Sequence, residues 1–526
     1  MITNKECSNI EEEQIQLFER RKAPMIGLSI VVGLLVGIVT VGYRLALEYA
    51  EKFAFWVTAS VKKQGIGFII LWFLVLIILS FLVAKCVQLN KSISGSGIPQ
   101  VKGVLQGALR QDWWKTLYLK FIGGTLVILG GLSVGREGPS IQLGACVGQG
   151  IGKKAKVSYL EEKILIAGGA SAGLAAAFNA PLAGVLFVLE EVFKYFSPLI
   201  LLVSMGAAVV ADFISKQVFG VSAVFSFETS VIPLKQYGLL ILLGVLLGVG
   251  GVIYNKTLLR VQKLYKQIKF LNHVQKIMIP FVLAGLLGII FPLVLGGGHA
   301  IVEVLNVKTT LTFMVLLLVV KFLFSLICFC SGIPGGIFFP LLIIGGLIGS
   351  IFAKLGITYF GVDPSLFYNF VIVGMAGYFT AIVRAPITGI VLIAEMTGSF
   401  ANFLPLTLVS IIAYIVAEGF KCAPIYDSLL ENQLEGKDLG FNEEEHDEKV
   451  IIWRIVKHGS LMCGKQVKDI QWPNRSLLLT VERMGNKMMP SGQMTLQAED
   501  VLQVVTDLNN EWQARSKLDE WTDEVG

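Results

Sequence analysis

The sequence predicts an all-α polytopic membrane protein with broken helices, followed by a small cytoplasmic α+β domain. Of its 526 residues, 54% are apolar and only 16% are charged, whereas soluble domains carry about 25% charged residues. Apolar runs long enough to cross a bilayer recur from about residue 25 to about residue 420. From about residue 427 the chain becomes polar and acidic. These observations exclude a soluble enzyme, a secreted disulfide scaffold and a disordered chain.

The charges separate a basic body from an acidic tail. Residues 431–526 hold 11 basic and 18 acidic side chains, which leaves 33 basic and 20 acidic side chains in residues 1–430. Lys and Arg in short cytoplasmic loops account for such a basic excess. No basic stripe carries interleaved aromatic residues, so nucleic acid is not a predicted partner.

The first 22 residues are polar and predict a short amphipathic helix on the cytoplasmic side. The cluster Glu19-Arg20-Arg21-Lys22 directly precedes the first apolar run. Because positive residues stay on the cytoplasmic side, this cluster places the N-terminus in the cytoplasm. The apolar run that follows is too long for a cleavable signal peptide.

The predicted transmembrane domain, residues 23–430, contains discontinuous helices. Its clearest apolar spans are 26–43, 66–84, 121–135, 199–211, 237–254, 277–298, 311–350, 365–383 and 402–417. Several are shorter than the roughly 20 residues of a straight crossing, and Gly and Pro interrupt others. Broken helices are tolerated at membrane depth only where the exposed backbone is buried in protein or faces a polar cavity. The pattern is typical of a transporter or channel.

An internal repeat divides this domain into two halves. Residues 180–186 (APLAGVL), followed by Glu190, match residues 385–391 (APITGIV), followed by Glu395, at a constant offset of 205. The two halves cover approximately residues 23–217 and 232–426. An odd number of crossings in each half would make them inverted repeats, and the sequence alone leaves that number open.

Three Gly/Pro-rich segments stand at the starts of apolar helical runs. They are residues 95–99 (GSGIP), 135–139 (GREGP) and 332–340 (GIPGGIFFP). Each has the residues typical of a helix N-terminus, with Gly for an open turn and Pro in the first helical turn. Helix N-termini present free N–H groups and about half a positive charge. Three such ends that converge would bind an anion without a Lys or Arg.

In this order, the three segments resemble the signature motifs of the CLC chloride channel and transporter family. Residues 423–426 (APIY) resemble the segment that carries the family's inner-gate tyrosine, and residues 178–191 also fit. The resemblance covers about residues 25–430. It implies a CLC-like inverted-repeat fold with about 18 helical segments, and a homodimer with one pore per subunit.

The resemblance also implies roles for individual residues. Glu137 would be the external gate and proton acceptor, whose carboxylate competes with chloride, and Glu191 would be the internal proton-transfer residue. The implied chloride-binding residues are Gly95, Ser96, Arg136, Gly138, Ile337, Phe338, Phe339 and Tyr426. Both acidic positions are present, which favours a chloride/proton antiporter. A passive voltage- or ligand-gated chloride channel of the same fold is the alternative.

Other polar residues have more ordinary interpretations. Glu190 and Glu395 are expected to be structural or helix-end residues, and His299 is expected to be a loop residue. Arg136 is expected to pair or cap locally more readily than it contacts the ion. The seven cysteines show no disulfide or zinc spacing. No metal or cofactor is predicted, and the resemblance implies chloride as the transported ligand.

The polar tail predicts an acidic linker, residues 431–448, and a cytoplasmic domain, residues 449–526. Three runs are strand-like, residues 450–456, 476–482 and 501–505. Two segments are typical of turns, residues 485–486 and 490–492. The domain resembles the C-terminal ligand-binding domain of potassium-transport regulators (TrkA-C, or RCK-C). This implies a regulatory small molecule such as a nucleotide, with a passive dimer clamp as the alternative. The expected location is the inner membrane, with both termini in the cytoplasm.

Overall fold

The computed structural model describes residues 4–194, 196–227, 229–434, 449–483, 486–507 and 510–522. Most of the predicted acidic linker, residues 435–448, lies outside the described residues. The chain divides into two compact units, and the helical unit comprises residues 1–102 and 111–432. Residues 103–110 and 433–526 form the second unit.

The helical unit contains only helices as regular structure among its described residues. Its helices are α1 (Asn4–Gln64), α2 (Ile66–Leu89), α3 (Ile98–Leu105), α4 (Trp113–Leu129), α5 (Glu137–Ala155), α6 (Tyr159–Phe178), α7 (Pro181–Phe187), α8 (Pro198–Phe219), α9 (Tyr237–Gln267), α10 (His273–Ile290), α11 (His299–Val304), α12 (Leu311–Cys330), α13 (Phe338–Tyr359), α14 (Phe367–Val383), α15 (Pro386–Thr397), α16 (Phe403–Gly419) and α17 (Ile425–Leu434). Among the described residues, eight helical segments are long and apolar enough to cross a membrane. The predicted multi-pass, all-α architecture is confirmed.

The predicted short helix at residues 1–22 is not a separate element. The structure has one helix of 61 residues, α1, that continues from Asn4 through Pro24 into the first apolar span. Proline removes one backbone hydrogen bond from a helix interior, but the helix continues through both Pro24 and Gly27. The apolar span 311–350 is divided into α12 and α13 by the third Gly/Pro-rich segment, as its prolines and glycines predict.

The two halves repeat the same helix pairings. Helix α1 packs against α8 as α9 packs against α16, and α5 packs against α6 as α13 packs against α14. Eight helices, α1–α8 and α9–α16, belong to each half. The repeat found in the sequence is therefore a repeat of the whole helical arrangement.

Two glutamates join the halves by reciprocal contacts. Glu395 accepts a hydrogen bond from the backbone N–H of Ala183 at the start of α7, at 2.8 Å. Glu190 accepts one from the N–H of Thr388 at the start of α15, also at 2.8 Å. Each carboxylate accepts a second bond from the N–H of the preceding residue. Both glutamates are thus helix-end residues as predicted, and a reciprocal contact requires the halves to be related by a two-fold axis.

Glycines allow the central helices of each half to touch along their backbones. A Cβ atom on Gly144 of α5 would lie 2.0 Å from the carbonyl oxygen of Gly169 on α6, and one on Gly169 would lie 2.1 Å from that of Gly144. In the second half Gly345 and Gly374 meet in the same way, at 2.6 and 2.4 Å. Such small-residue contacts are typical of helix pairs inside membranes. These backbone contacts fix α5 against α6 and α13 against α14, and so fix the N-terminal ends of α5 and α13.

The tail contains a four-stranded antiparallel sheet and one helix. Its elements are β1 (Lys449–Ile455), β2 (Ser476–Arg483), β3 (Asn486–Met488), β4 (Val501–Asp507) and α18 (Glu511–Thr522), and the strand order is β1-β4-β2-β3. The three predicted strands are confirmed to within two residues at each end. Of the predicted turn at residues 485–486, Gly485 lies outside the described residues and Asn486 begins β3. Asn486 pairs with Arg483 of β2.

Candidate functional site

Backbone hydrogen bonds join the three Gly/Pro-rich segments. The N–H of Gly95 donates to Ile333 at 3.0 Å, and the N–H of Gly335 donates back to the Gly95 carbonyl at 3.1 Å. Gly135 and Gly336 exchange both of their bonds, at 2.7 and 2.9 Å. Residues far apart in the sequence are therefore held at one place, with the starts of α3, α5 and α13 around it.

A buried lysine fixes the first of these segments. Lys120 lies in the apolar helix α4, and its Nζ atom donates to the carbonyl oxygens of Ile93 and Gly95 at 2.8 and 2.7 Å. Lys321 on α12, 201 residues later, donates in the same way to two carbonyls. Each lysine holds the irregular backbone that precedes a short helix. Because its Nζ donates to the Ile93 and Gly95 carbonyl oxygens, Lys120 positions the backbone that precedes Ser96.

Ser96 and Tyr426 are buried, and neither hydroxyl has a hydrogen-bond partner among the described residues. Gly138 lies directly against Ser96, since a Cβ atom there would come within 2.3 Å of the Ser96 Oγ. The Tyr426 ring contacts Phe187 at a centroid distance of 6.3 Å, and Phe187 contacts Phe338 at 5.8 Å. Buried hydroxyls normally have partners, and these two are free to donate to an anion at the adjacent helix N-termini.

Glu137 is the first residue of α5, and its side chain is buried. The carboxylate faces the backbone N–H groups of Arg136, Glu137 and Phe339, although its Oε2 makes no hydrogen bond of normal geometry among the described residues. Arg136 lies 4.0 Å from Glu137 Oε1 and 3.7 Å from Glu48 Oε1. Arg136 thus pairs locally, as predicted, and the glutamate carboxylate lies over the N-terminal end of α13.

Aromatic rings surround the start of α13. Ile337, Phe338 and Phe339 are all buried. The Phe338 ring packs on Phe178 and Phe379 at centroid distances of 5.4 and 4.7 Å. These contacts exclude water around the N–H groups of this helix end, so an anion that reaches them interacts in a low-dielectric environment.

His299 does not lie in a loop as predicted. It is the first residue of α11, and its ring lies over Phe339 at a centroid distance of 4.2 Å. A small pocket beside Glu137 is lined by several polar residues. The pocket is lined by Leu47, Glu48, Glu51, Ile128, Val134, Gly135, Arg136, Glu137, Gly297, His299 and Phe339.

Residues 77–418 match the family described as voltage gated chloride channel, which is more than half of the chain. The chain belongs to the CLC family. It is therefore a multi-pass membrane ion-transport protein and not an enzyme. Residues 451–518 match the TrkA-C domain, which confirms the identity predicted for the tail.

Characterised CLC proteins resemble the chain over most of its length. The H(+)/Cl(-) exchange transporter ClcA of Vibrio cholerae (strain M66-2) is 34% identical over 449 residues, covering 81% of this chain and 93% of that protein. ClcA of Vibrio vulnificus (strain YJ016) is 35% identical over 432 residues, covering 78% of this chain and 90% of that protein.

Solved CLC structures share the fold. A slow cyanobacterial Cl-/H+ antiporter superposes with a TM-score of 0.73 and 32% identity, covering 79% of this chain and 99% of that one. A eukaryotic CLC transporter gives a TM-score of 0.66 at 21% identity, covering 87% of this chain and 84% of that one. The inverted-repeat fold predicted from the sequence is confirmed.

The CLC glutamate predicted on the inner side, Glu191, lies at the end of α7 in a single π-helical turn, Val188–Phe193. Its side chain is buried, and Lys102 Nζ donates to its Oε1 at 2.9 Å. Neighbouring Glu190 points to α15 instead. The two glutamates therefore point in different directions, because adjacent residues of a helix do not lie on the same face.

The charged partners of Glu191 and of the Ser96 segment were not predicted from the sequence. Lys102, Asp427 and Lys194 surround Glu191 and one another, and Lys120 holds the Ser96 segment. For Lys120 a signal existed, because a single lysine inside an apolar helix is costly and needs a partner. For Lys102 and Asp427 no local pattern existed, since their partners lie 89 or more residues away.

Proposed function

We propose that the chain is a secondary active chloride/proton antiporter in which the Glu137 carboxylate alternates with chloride at one site. The position of that carboxylate carries the proposal: it is buried over the start of α13 and faces the Phe339 N–H. Relatives and a solved neighbour named as chloride/proton exchangers support the same reaction for this chain.

Chloride would bind between the hydroxyls of Ser96 and Tyr426 and the N–H groups of Ile337 and Phe338. Gly95 and Gly138 would supply close-packed backbone beside it, and Phe339 and Arg136 would line the outer approach. None of these groups places a full positive charge on the ion, since Arg136 pairs with Glu48 and Glu137. The ion is then held weakly enough to leave, as permeation requires.

Glu137 would gate this pathway by charge. When ionised, its carboxylate competes with chloride for the same N–H groups, because both are anions attracted to a helix N-terminus. A proton taken up from the outer side neutralises the carboxylate and weakens its hold on the helix end. The side chain then moves away and chloride enters, and the bound proton is available for transfer towards Glu191.

The proposal also includes a cellular location and an oligomeric state. A homodimer with one pore per subunit would sit in the inner membrane, with both termini in the cytoplasm. The TrkA-C domain would bind a cytoplasmic small molecule, such as a nucleotide, and dimerise with its partner. These features rest on the family resemblance.

Proton uptake driven by a chloride gradient tests the function. Purified protein in liposomes should drive protons uphill, and Glu137→Gln and Glu191→Gln should each abolish proton movement while chloride still flows. Glu303→Gln is the matched control, because Glu303 is an exposed acid on α11, and it should couple as the wild type does. Rapid chloride flux without proton movement in the wild type would instead identify a passive channel.

A further inference from the structure

The buried position of Glu191 raises the question of how its proton reaches water. Only 2% of the Glu191 side chain is exposed. Its polar neighbour is Lys102 on α3, whose side chain is fully buried and whose Nζ lies 2.9 Å from Glu191 Oε1. A proton that moves between Glu191 and solvent must therefore pass through other groups or through a transient opening.

Lys102 joins Glu191 to a second carboxylate. The Lys102 Nζ also forms an ion pair with Oδ1 of Asp427. The other oxygen of Asp427, Oδ2, accepts a hydrogen bond from Lys194 at 2.6 Å. Exposure rises along this series, from 2% for Glu191 and 0% for Lys102 to 24% for Asp427 and 43% for Lys194. The four side chains form a continuous, alternately charged path from the interior to the protein surface.

The fold brings these groups together next to the anion site. Asp427 follows Tyr426 directly on α17, and Lys102 lies on α3, the helix that begins beside Ser96. Glu191 lies on the π-helical turn Val188–Phe193, and such turns are frequent at functional sites. The path is therefore attached to the elements that would hold chloride.

We propose that Asp427 and Lys102 form the proton relay between solvent and Glu191. Asp427 takes a proton from water at the exposed end. The Lys102 ammonium transfers one of its protons to the Glu191 carboxylate, and the resulting neutral amine recovers a proton from the Asp427 carboxylic acid. The net result is one proton moved from water to Glu191, with Lys102 and Asp427 returned to their starting charges. Lys194 holds the Asp427 carboxylate in place.

This relay rests on the proposed antiport, and substitutions at Lys102 separate its chemistry from simple charge pairing. Arginine keeps the positive charge but cannot release a proton in a protein. Lys102→Arg should therefore bind chloride normally yet lose proton flux by about 100-fold or more, a loss typical of removing a general acid–base group. Lys102→Arg with wild-type proton flux would overturn the relay.

Asp427 gives an independent test in the full-length protein in liposomes. Asp427→Asn should lower proton flux by a similar factor while chloride flux continues, so that more chloride moves per proton, and Asp427→Glu should restore the wild-type ratio. Unchanged proton flux in Asp427→Asn between pH 5 and pH 8 would overturn the role of Asp427. If the wild type itself moves no protons, the antiport fails; if the wild type couples and both variants match it, only the relay fails.

Discussion

At the scale of single residues, the proposed anion site contains polar groups that are buried without partners among the described residues. The hydroxyls of Ser96 and Tyr426 lack acceptors and donors among the described residues, and the Glu137 carboxylate lies over N–H groups that an anion could also use. An unpartnered buried polar group costs about 1–3 kcal/mol. In the proposed site, chloride bound between the hydroxyls of Ser96 and Tyr426 would offset that cost.

Removal of one hydroxyl should weaken chloride binding. Tyr426→Phe deletes only the OH group, and a hydrogen bond to a charged partner contributes about 1.5–3 kcal/mol, which corresponds to roughly 10- to 100-fold in affinity. Titration calorimetry of the purified protein with chloride measures the loss. Tyr118→Phe is the control, because Tyr118 lies on the exposed face of α4. Equal chloride affinity in wild type and Tyr426→Phe would remove this hydroxyl from the site.

At the scale of helices, the first backbone N–H groups of the short helices α7 and α15 are each capped by a glutamate of the other half. Neither has a side-chain cap of its own, and each receives a glutamate from the opposite half. The repeated spacing of Glu190 and Glu395 was visible in the sequence and predicted a structural role. Their exchange between halves was not visible, because a constant offset does not distinguish a contact within one copy from a contact with the other.

Loss of one of these caps should destabilise the helical unit without removing its pore residues. Glu395→Ala leaves the first N–H groups of α7 without their carboxylate, and loss of an N-terminal cap costs about 1–2 kcal/mol. Thermal unfolding of the detergent-solubilised protein should show a lower midpoint for Glu395→Ala and for Glu190→Ala, and no shift for Glu303→Ala. A wild-type midpoint in both variants would contradict the reciprocal capping.

Features encoded by neighbouring residues could be predicted from the sequence, whereas contacts between distant residues could not. Helices α12 and α13 follow from an apolar run that is interrupted by Pro334 and Gly335, so their existence and their break are encoded locally. The contact of His299 with Phe339 depends on residues 40 positions apart and on the packing of α11. The Lys102 partners depend on three separate elements, so only the folded chain brings them together.

At the scale of the whole molecule, the helical unit and the TrkA-C domain are separate compact units with separate interiors. The domain's core is formed by side chains of its own sheet and of α18, among them Ile452, Val504 and Leu518. Composition predicted this division well, because the change from a basic apolar body to an acidic polar tail is abrupt. The position of β3 could not be predicted from its three residues.

A buried ion pair in the tail should show whether the two units unfold separately. Asp500 is fully buried, and both its oxygens accept hydrogen bonds from Arg483 at 2.7 Å. Arg483→Met leaves a buried carboxylate without its counter-ion, at a cost of about 3 kcal/mol. Hydrogen exchange should quicken in β2 and β4 while the amides of α5 and α6 stay protected. Equal loss of protection in both units would show that they unfold as one.

The central claim is that the Glu137 carboxylate and a halide compete for one site at the start of α13. Bromide located by anomalous diffraction in crystals of the wild type and of Glu137→Gln tests it most directly. We expect bromide between Ser96 and Tyr426 in both proteins, and an additional bromide at the Phe339 N–H only in Glu137→Gln, where no carboxylate competes. The same bromide positions in both crystals, or none near these residues, would contradict the account.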